Sequence, residues 1–544
     1  MGGAFDITRR GFIKGAGGLT FAIGASGLLA ACASEDDAAG LVEFQPNLWA
    51  TIASDGKITV MGPAAEMGQG SLTSLPLIFA EELDADWKDI NPVQVSIPHK
   101  IYGNPYFGGL LYTGGSRAVA DYYKTLRLAG AQARRLLMMA AAGRWKVPLG
   151  ELATEPGFVV HTKSKKRLSY GEIAAFAKVP KELPEIKESE LKDPKNFRLI
   201  GHDTPRTDIP SKVNGTAQYA MDVQVPGMVY ASILHAPVEG ESPVDIDDAK
   251  TLKVPGVTHV VALENAVAVI GKTVEATRFG KDVLEVTWTG KAEAQGFDSE
   301  KNLAACSAAA NDLSQKGVPW REVGDTYAAL ETADKVISAE YHCDFVYHAQ
   351  MEPLNATALV NKAGDGADIW SGTQSQTLTT LAAARELGTT PDKIKLHQMF
   401  LGGGFGRRAE FAPTYTLQAI QLSKKLGKPV KVIWSREDDL TNGWFRPSTA
   451  QLMRAGLDKD GKVVAWNHRM AGPSVLEFYN IFRWGIVKDQ DVISMLGSDI
   501  PNYAIPNILA EHVMLGRISR LSPWRGVATG YTKFAVESFV DELA

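Results

Sequence analysis

Gly402-Gly403-Gly404-Phe405-Gly406-Arg407-Arg408 is the stretch of this 544-residue chain whose residue types could do chemistry. Four glycines in five positions let a backbone approach a ligand closely and take positive φ at little steric cost. Ahead of it, Ile394-Lys395-Leu396-His397-Gln398-Met399-Phe400 reads as a strand. Behind it, Tyr415, Ala419, Leu422 and Leu426 recur at helical spacing. A helix start supplies free N–H groups, and two arginines add anion-binding forks. The chemistry suited to such a place is the grip of a large polyanionic cofactor, mainly by main chain. An ordinary turn between strand and helix is the alternative on this segment alone.

Other elements share this pattern. Glu66-Met67-Gly68-Gln69-Gly70 opens a helix expected over 71–83, with Leu75, Ile78 and Phe79 as apolar contacts and Pro76 as a kink or a later start. Gly68 and Gly70 bracket Gln69 so that its amide can face a ligand; a cap made of small residues is the alternative. Tyr112-Thr113-Gly114-Gly115-Ser116-Arg117-Ala118-Val119 leads into a long helix to about residue 142, with Val119, Leu126, Leu128, Ala133, Leu136 and Leu137 as its apolar positions. Ser116 is a natural N-cap, and the same cap could hold a phosphate at the positive end of the helix dipole. Ala50–Ala53 and residues 57–60 flank a Ser54-Asp55-Gly56 turn and read as a hairpin. Glu437, Asp438 and Asp439 invite a metal reading, but consecutive acids do not share a strand face, which favours a solvated turn or ion-pair cluster. His342 and His348 lack chelating spacing and read as core or surface histidines.

At 544 residues the chain exceeds one core, and three or four domains are expected. Strands alternate with helices, so the expected fold is a mixed α+β and α/β multidomain architecture. A net charge of −5 gives no reason to expect a nucleic-acid partner. Cys32, Cys306 and Cys343 lie too far apart for an iron–sulfur or Cys₄ zinc motif. If the chain is a redox enzyme, its other redox centres sit on another chain.

Thr8-Arg9-Arg10-Gly11-Phe12-Ile13-Lys14 precedes a charge-free stretch of 17 residues, 15–31. That is short of the ~20 residues of a membrane span. The paired arginines make residues 1–32 a twin-arginine export signal, placing the mature protein in the periplasm. Leu29-Ala30-Ala31-Cys32 also resembles a lipoprotein cleavage box; its use would lipidate Cys32 and anchor the protein, and simple cleavage near Ala31 is the alternative. Residues 33–44 read as a tether.

These segments, in this order, resemble the molybdopterin-binding large subunit of the xanthine oxidase family, in particular the isoquinoline oxidoreductase beta-subunit branch. The resemblance covers residues 49–544 and rests on Met67-Gly68-Gln69-Gly70, Lys212-Val213-Asn214-Gly215 with Pro226-Gly227-Met228-Val229-Tyr230, Met351-Glu352-Pro353, and residues 402–408. Met67-Gly68-Gln69-Gly70 stands ahead of the strand-rich domain, as the branch assignment requires. The resemblance implies molybdopterin-binding domains over 45–200 and 335–544 flanking a hammerhead-like domain over 205–300. It implies that Gly68, Gln69, Gly70, Ser116, Arg117, Ala118 and Val119 contact a molybdopterin dinucleotide of the cytosine form, and that Gly403, Gly404, Phe405, Gly406 and Arg407 pack beside the molybdenum. Trp524, Arg525, Gly526 and Val527 would border the substrate. The implied activity is oxidation of an N-heterocycle or aldehyde with water-derived oxygen. Electrons would pass to [2Fe-2S] clusters on a small partner subunit and on to a cytochrome, since no nicotinamide or flavin fingerprint is present.

One departure stands out. The family's base is a glutamate in a Gly-Val-Gly-Glu motif, and that motif does not occur in this sequence. A base within hydrogen-bond reach is needed for this chemistry. The expectation is that this polypeptide alone is catalytically incomplete, with the remainder on a second polypeptide or lost; a non-catalytic exported scaffold is the alternative. No catalytic residue is assigned. Glu410 reads as a surface or loop-stabilising carboxylate.

Overall fold

A computed structural model of the chain describes residues 42–95, 99–479, 490–500, 502–517 and 519–544. The export signal, Cys32 and most of the tether lie outside the described residues. Among the described residues, no helix is long and apolar enough to cross a membrane. The chain divides into two compact units, each discontinuous in sequence.

The first unit comprises residues up to Pro63, Gly70–Val95 and Ser116–Gly215. Strands β1 (Glu43–Asn47), β2 (Ala50–Ala53) and β3 (Ile58–Gly62) form an antiparallel meander, so the expected hairpin gains a third strand. Helix α1 (Ser71–Leu83) crosses over to β4 (Ile90–Gln94), which pairs parallel to β3. The helix begins at Ser71 and runs through Pro76. Helix α2 (Arg117–Trp145) packs on α1 so closely that a Cβ at Gly130 would stand 2.3 Å from the Phe79 carbonyl oxygen; only glycine permits that crossing.

Two expectations for α2 fail. Ser116 has φ 57 and makes no side-chain cap bond, because capping requires an extended rather than a left-handed residue. Val119 shares a face with buried Leu126 yet is 44% exposed. With 13 residues against 29, α1 is too short to cover that whole face. Arg117 lies along its own helix, paired with Asp121. A small sheet of β5 (Leu152–Glu155), β6 (Phe158–His161) and β7 (Arg167–Ser169) completes the unit.

The second unit comprises Ala64–Gln69, Ser96–Gly115 and Thr216–Ala544. Its strands begin with β8 (Val229–His235), β9 (Pro243–Asp247), β10 (Val257–Ala262), β11 (Ala266–Gly271), β12 (Glu285–Trp288) and β13 (Val318–Val323). They continue with β14 (Lys335–Cys343), β15 (Val346–Tyr347), β16 (Asn355–Val360), β17 (Ala367–Ser371), β18 (Ile394–Gln398) and β19 (Val430–Ile433). The last are β20 (Phe445–Arg446), β21 (Thr449–Leu457), β22 (Val463–Pro473) and β23 (Asn507–Leu515).

A seven-stranded sheet runs β10-β11-β8-β19-β16-β17-β18, with β8–β19 and β17–β18 parallel. Residues 205–300, expected as a domain of their own, thus supply three strands to a sheet whose other four lie between Asn355 and Ile433. Helices α3 (Gln376–Leu387) and α4 (Thr414–Leu426) cover this sheet, and Tyr415, Ala419 and Leu422 join Ile369, Leu396 and Val432 in its core. A five-stranded sheet runs β13-β23-β22-β21-β14. Helix α5 (Thr529–Leu543) buries Ala535, Val536 and Phe539 against it, with Phe539 5.3 Å from the Trp466 ring. Phe534 is 49% exposed, edge-on to Tyr341.

Candidate functional site

The glycine loop leaves the edge of the seven-stranded sheet. β18 stops at Gln398, two residues before the expected end; Phe400 then makes a lone parallel bridge to Tyr219, and the Leu401 N–H donates to the Glu66 carbonyl at 3.1 Å. Gly402 is clamped by Glu352: its N–H donates to Glu352 Oε2 at 2.9 Å, its carbonyl accepts the Glu352 N–H at 3.0 Å, and a Cβ on it would fall 2.4 Å from Glu352 Cβ. Gly403, Phe405 and Gly406 all take positive φ, at 96, 55 and 105. Gln374 braces the loop from below. Its Oε1 accepts the Gly406 N–H at 3.0 Å, and its Nε2 donates to the Thr113 carbonyl at 2.9 Å.

Residues 523–527 abut this loop. The Arg525 N–H donates to the Phe405 carbonyl at 2.8 Å, and a Cβ on Gly406 would fall 2.2 Å from the Pro523 oxygen. His348, at the end of the two-stranded β15–β20 ribbon, donates from Nε2 to that same Pro523 oxygen at 3.0 Å. Its ring stands edge-on to Trp524, and Arg446 lies over the other ring, 4.7 Å from the Trp524 centroid. Among the described residues of this unit, Ala349, Phe405 and Val527 are the non-glycine ones at positive φ, at 47, 55 and 53. All three belong to this constellation. Strained backbone of this kind persists where surrounding structure over-determines it, as at ligand clamps.

The arginines behave differently from expectation. Arg407 is wholly buried, ion-paired with Glu410 beneath the loop, its guanidinium 5.6 Å from the Trp444 ring centroid. Arg408 is spent on the carbonyls of Gly372 (3.1 Å) and Glu352 (2.7 Å) and on the Glu352 carboxylate (3.0 Å). Neither guanidinium is presented to a ligand. Glu410 stabilises the loop as expected, but from the interior: it is 1% exposed and also accepts the Thr414 N–H at the start of α4. What the loop does present is main chain, since the amides of Gly403, Gly404 and Phe405 donate to no described residue.

Gln69 closes its own turn, accepting the Met67 N–H at 2.8 Å and donating to the Ala65 carbonyl at 2.7 Å. Met67 reaches the glycine loop: a Cβ on Gly404 would fall 3.0 Å from its sulfur. The structure thus joins Gly403, Gly404, Phe405, Gly406 and Arg407 with Trp524, Arg525, Gly526 and Val527, and seats the Glu66–Gln69 turn against them. Gly70, Ser116, Arg117, Ala118 and Val119 belong to the first unit. Asp438 and Asp439 form ion pairs, with Lys281 (2.8 Å) and Arg436 (3.0 Å). Sequence reasoning missed the roles of His348, Gln350, Glu352 and Gln374. The Met351-Glu352-Pro353 motif marked one of them, whereas single polar residues after apolar strands carry no periodic signal.

Burial pushes the His348 pKa down to about 3, and does the same to His235 (about 3) and His468 (about 4). In the unfolded chain each titrates near 6.5, so below that pH the unfolded state takes up protons that the fold refuses. The expected result is an unfolding free energy insensitive to these rings above about pH 7 and falling from pH 6.5 downward, by roughly 1.4 kcal/mol per ring per pH unit, with the melting temperature falling alongside it. His468→Gln should remove part of that slope between pH 6.5 and 4.5, before carboxylates titrate; a melt independent of pH in that window would contradict the assignment.

A molybdopterin cofactor-binding domain model matches residues 310–544, and a second of the same description matches residues 9–225. The chain is 36% identical to isoquinoline 1-oxidoreductase subunit beta of Brevundimonas diminuta, over 99% of this chain and 73% of that one. It belongs to the molybdopterin-binding large subunits of the xanthine oxidase family, a family of molybdenum-dependent oxidoreductases. It is also 31% identical to the membrane-bound aldehyde dehydrogenase (pyrroloquinoline-quinone) of Gluconacetobacter polyoxogenes, over 92% of this chain and 65% of that one. The fold is similar to the crystal structure of the aldehyde oxidoreductase from Desulfovibrio desulfuricans, with a TM-score of 0.51 at 20% identity, covering 64% of this chain and 42% of that one. The site fits the cofactor of this family: three unspent amides in a glycine loop would hold it by main chain, with Met67 and Phe405 beside it.

Proposed function

We propose that this chain is the large subunit of a molybdenum hydroxylase that oxidises an N-heterocycle or an aldehyde with water-derived oxygen. The observation that carries the reading is the direct joining of the glycine loop to residues 523–527, through the Arg525–Phe405 bond and the shared Pro523 oxygen. Bound molybdopterin supplies the redox chemistry. The chain's own residues do the rest: the amides of residues 403–405 bind, Gln374 and Glu352 fix the loop, and Phe405 and Trp524 shield the reacting centre from water. The names of the two relatives above support the two substrate classes. The cytosine dinucleotide form, a separate [2Fe-2S] subunit and a cytochrome acceptor follow from the resemblance. Export by the twin-arginine route, with or without a lipid at Cys32, follows from residues 8–32.

The test is metal and pterin analysis of the complex co-produced with its neighbouring gene products, with the nucleotide released by hydrolysis and the mass of the large polypeptide measured together. About one molybdenum and one cytidine nucleotide per chain are expected. A complex free of molybdenum and pterin would overturn the reading in favour of a non-catalytic exported scaffold.

A further inference from the structure

Gln350 lies directly under the glycine loop, wholly buried; a Cβ on Gly403 would fall 3.2 Å from its Cβ. Its Nε2 donates to Asp439 Oδ2 at 2.8 Å and lies 3.3 Å from the Tyr347 hydroxyl. Asp439 also accepts from that hydroxyl and from Arg436 Nη1 at 3.0 Å. A carboxylate paired with an arginine can only accept, so the Gln350 amide has one allowed orientation. Turned the other way, its oxygen would face the Asp439 oxygens. The consequence is that Gln350 Oε1 is enclosed with no donor among the described residues.

An unmet acceptor therefore belongs to the residue packed under Gly403, and the amides of Gly403, Gly404 and Phe405 have no acceptor among the described residues. Enclosed polar atoms are costly to leave without partners. A phosphate group only accepts; it would serve the amides and leave Gln350 unmet. A cyclic amide edge, with an N–H beside a C=O, meets both: the carbonyl takes the loop amides and the N–H donates to Gln350 Oε1. The geometry points to Gln350 as a ligand-reading residue for such an edge, an assignment that rests on the function proposed above. Two molecules carry it. One is the pyrimidinone ring of molybdopterin. The other is the lactam formed when an N-heterocycle gains oxygen at the carbon next to nitrogen.

The experiment uses Gln350→Met in the co-produced complex, a change that keeps length and removes both polar atoms. Molybdenum and pterin per chain, the Kd of the lactam product and the melting temperature are read together. A loss of about ten-fold in pterin content assigns the edge to the cofactor, and full pterin content with about ten-fold weaker lactam binding assigns it to the substrate side, ten-fold being the worth of one good hydrogen bond. Unchanged pterin and lactam binding, with or without a lower melting temperature, overturns the proposal. Tyr347→Phe is the control: it weakens the same Asp439 network without touching Oε1, so it should lower the melting temperature alone. Should Gln350→Met fail to fold, Gln350→Asn, which draws the acceptor back by one methylene, is read the same way. A wild-type complex without pterin would instead sink the underlying function.

Discussion

Glu352→Gln is expected to cost the fold about 3–5 kcal/mol, the usual penalty for leaving one partner of a buried ion pair alone, and to deplete the purified protein of molybdopterin. The carboxylate accepts from four donors. Oε1 takes the Met221 N–H at 3.1 Å and Asn355 Nδ2 at 3.0 Å; Oε2 takes the Gly402 N–H at 2.9 Å and Arg408 Nη2 at 3.0 Å. An ionised carboxylate has acceptor sites for all four, whereas a glutamine must turn its NH₂ against two of them. The wholly buried Arg408 would lose its counter-charge at the same time. Because the four donors come from the turn ahead of β8, the start of β16 and the two ends of the glycine loop, the change should loosen the loop rather than a distant surface. Urea unfolding and molybdenum per chain check this together, and hydrogen exchange should rise at residues 402–408. A loss below about 1 kcal/mol with full molybdenum content would show that Glu352 is dispensable to the loop. Glu352→Asp should fail similarly, since it falls one methylene short of both sets of donors.

That network also shows which parts of the molecule were legible in sequence. The glycine loop was, because glycine leaves a direct mark wherever backbone takes positive φ or meets another atom at contact distance: Gly402, Gly403 and Gly406 each do one or both. The helix over Thr414–Leu426 was, because Tyr415, Ala419 and Leu422 repeat at its period and are buried. The partners of Glu352 were not. Met221 lies 131 residues away, and nothing local in either segment encodes the meeting. The fate of Arg407 and Arg408 was misjudged for a related reason. A guanidinium beside a glycine loop suits an external anion and an internal carboxylate equally well; the tertiary fold brings Glu352 to Arg408 and turns Arg407 inward together with Glu410, three residues along the chain. Likewise the joining of β8, β10 and β11 to β19 and β16 is a long-range pairing on which strand composition is silent.

Gly406→Ala is expected to lower turnover by about 10²-fold, because a displacement of reacting groups by about 1 Å is enough for that. The new Cβ would fall 2.2 Å from the Pro523 carbonyl oxygen and 3.6 Å from His348 Nε2. Pro523 is backbone and cannot rotate aside, so the two loops must part. Parting them stretches the 2.8 Å bond from the Arg525 N–H to the Phe405 carbonyl and carries Trp524 and Val527 away from the glycine loop. The stability loss should be about 1–3 kcal/mol for overpacking, plus the strain of a side chain at φ 105. Gly427→Ala separates the two effects: that residue also has positive φ, at 63, but a Cβ there meets nothing within 4 Å. It should destabilise by about 1 kcal/mol and leave turnover unchanged. Both variants are compared in the co-produced complex with turnover normalised to molybdenum content, so that loss of cofactor is not counted as loss of catalysis. If Gly406→Ala keeps full turnover per molybdenum while Gly427→Ala shows its small stability cost, the contact between the glycine loop and residues 523–527 is architecture without a part in the reaction.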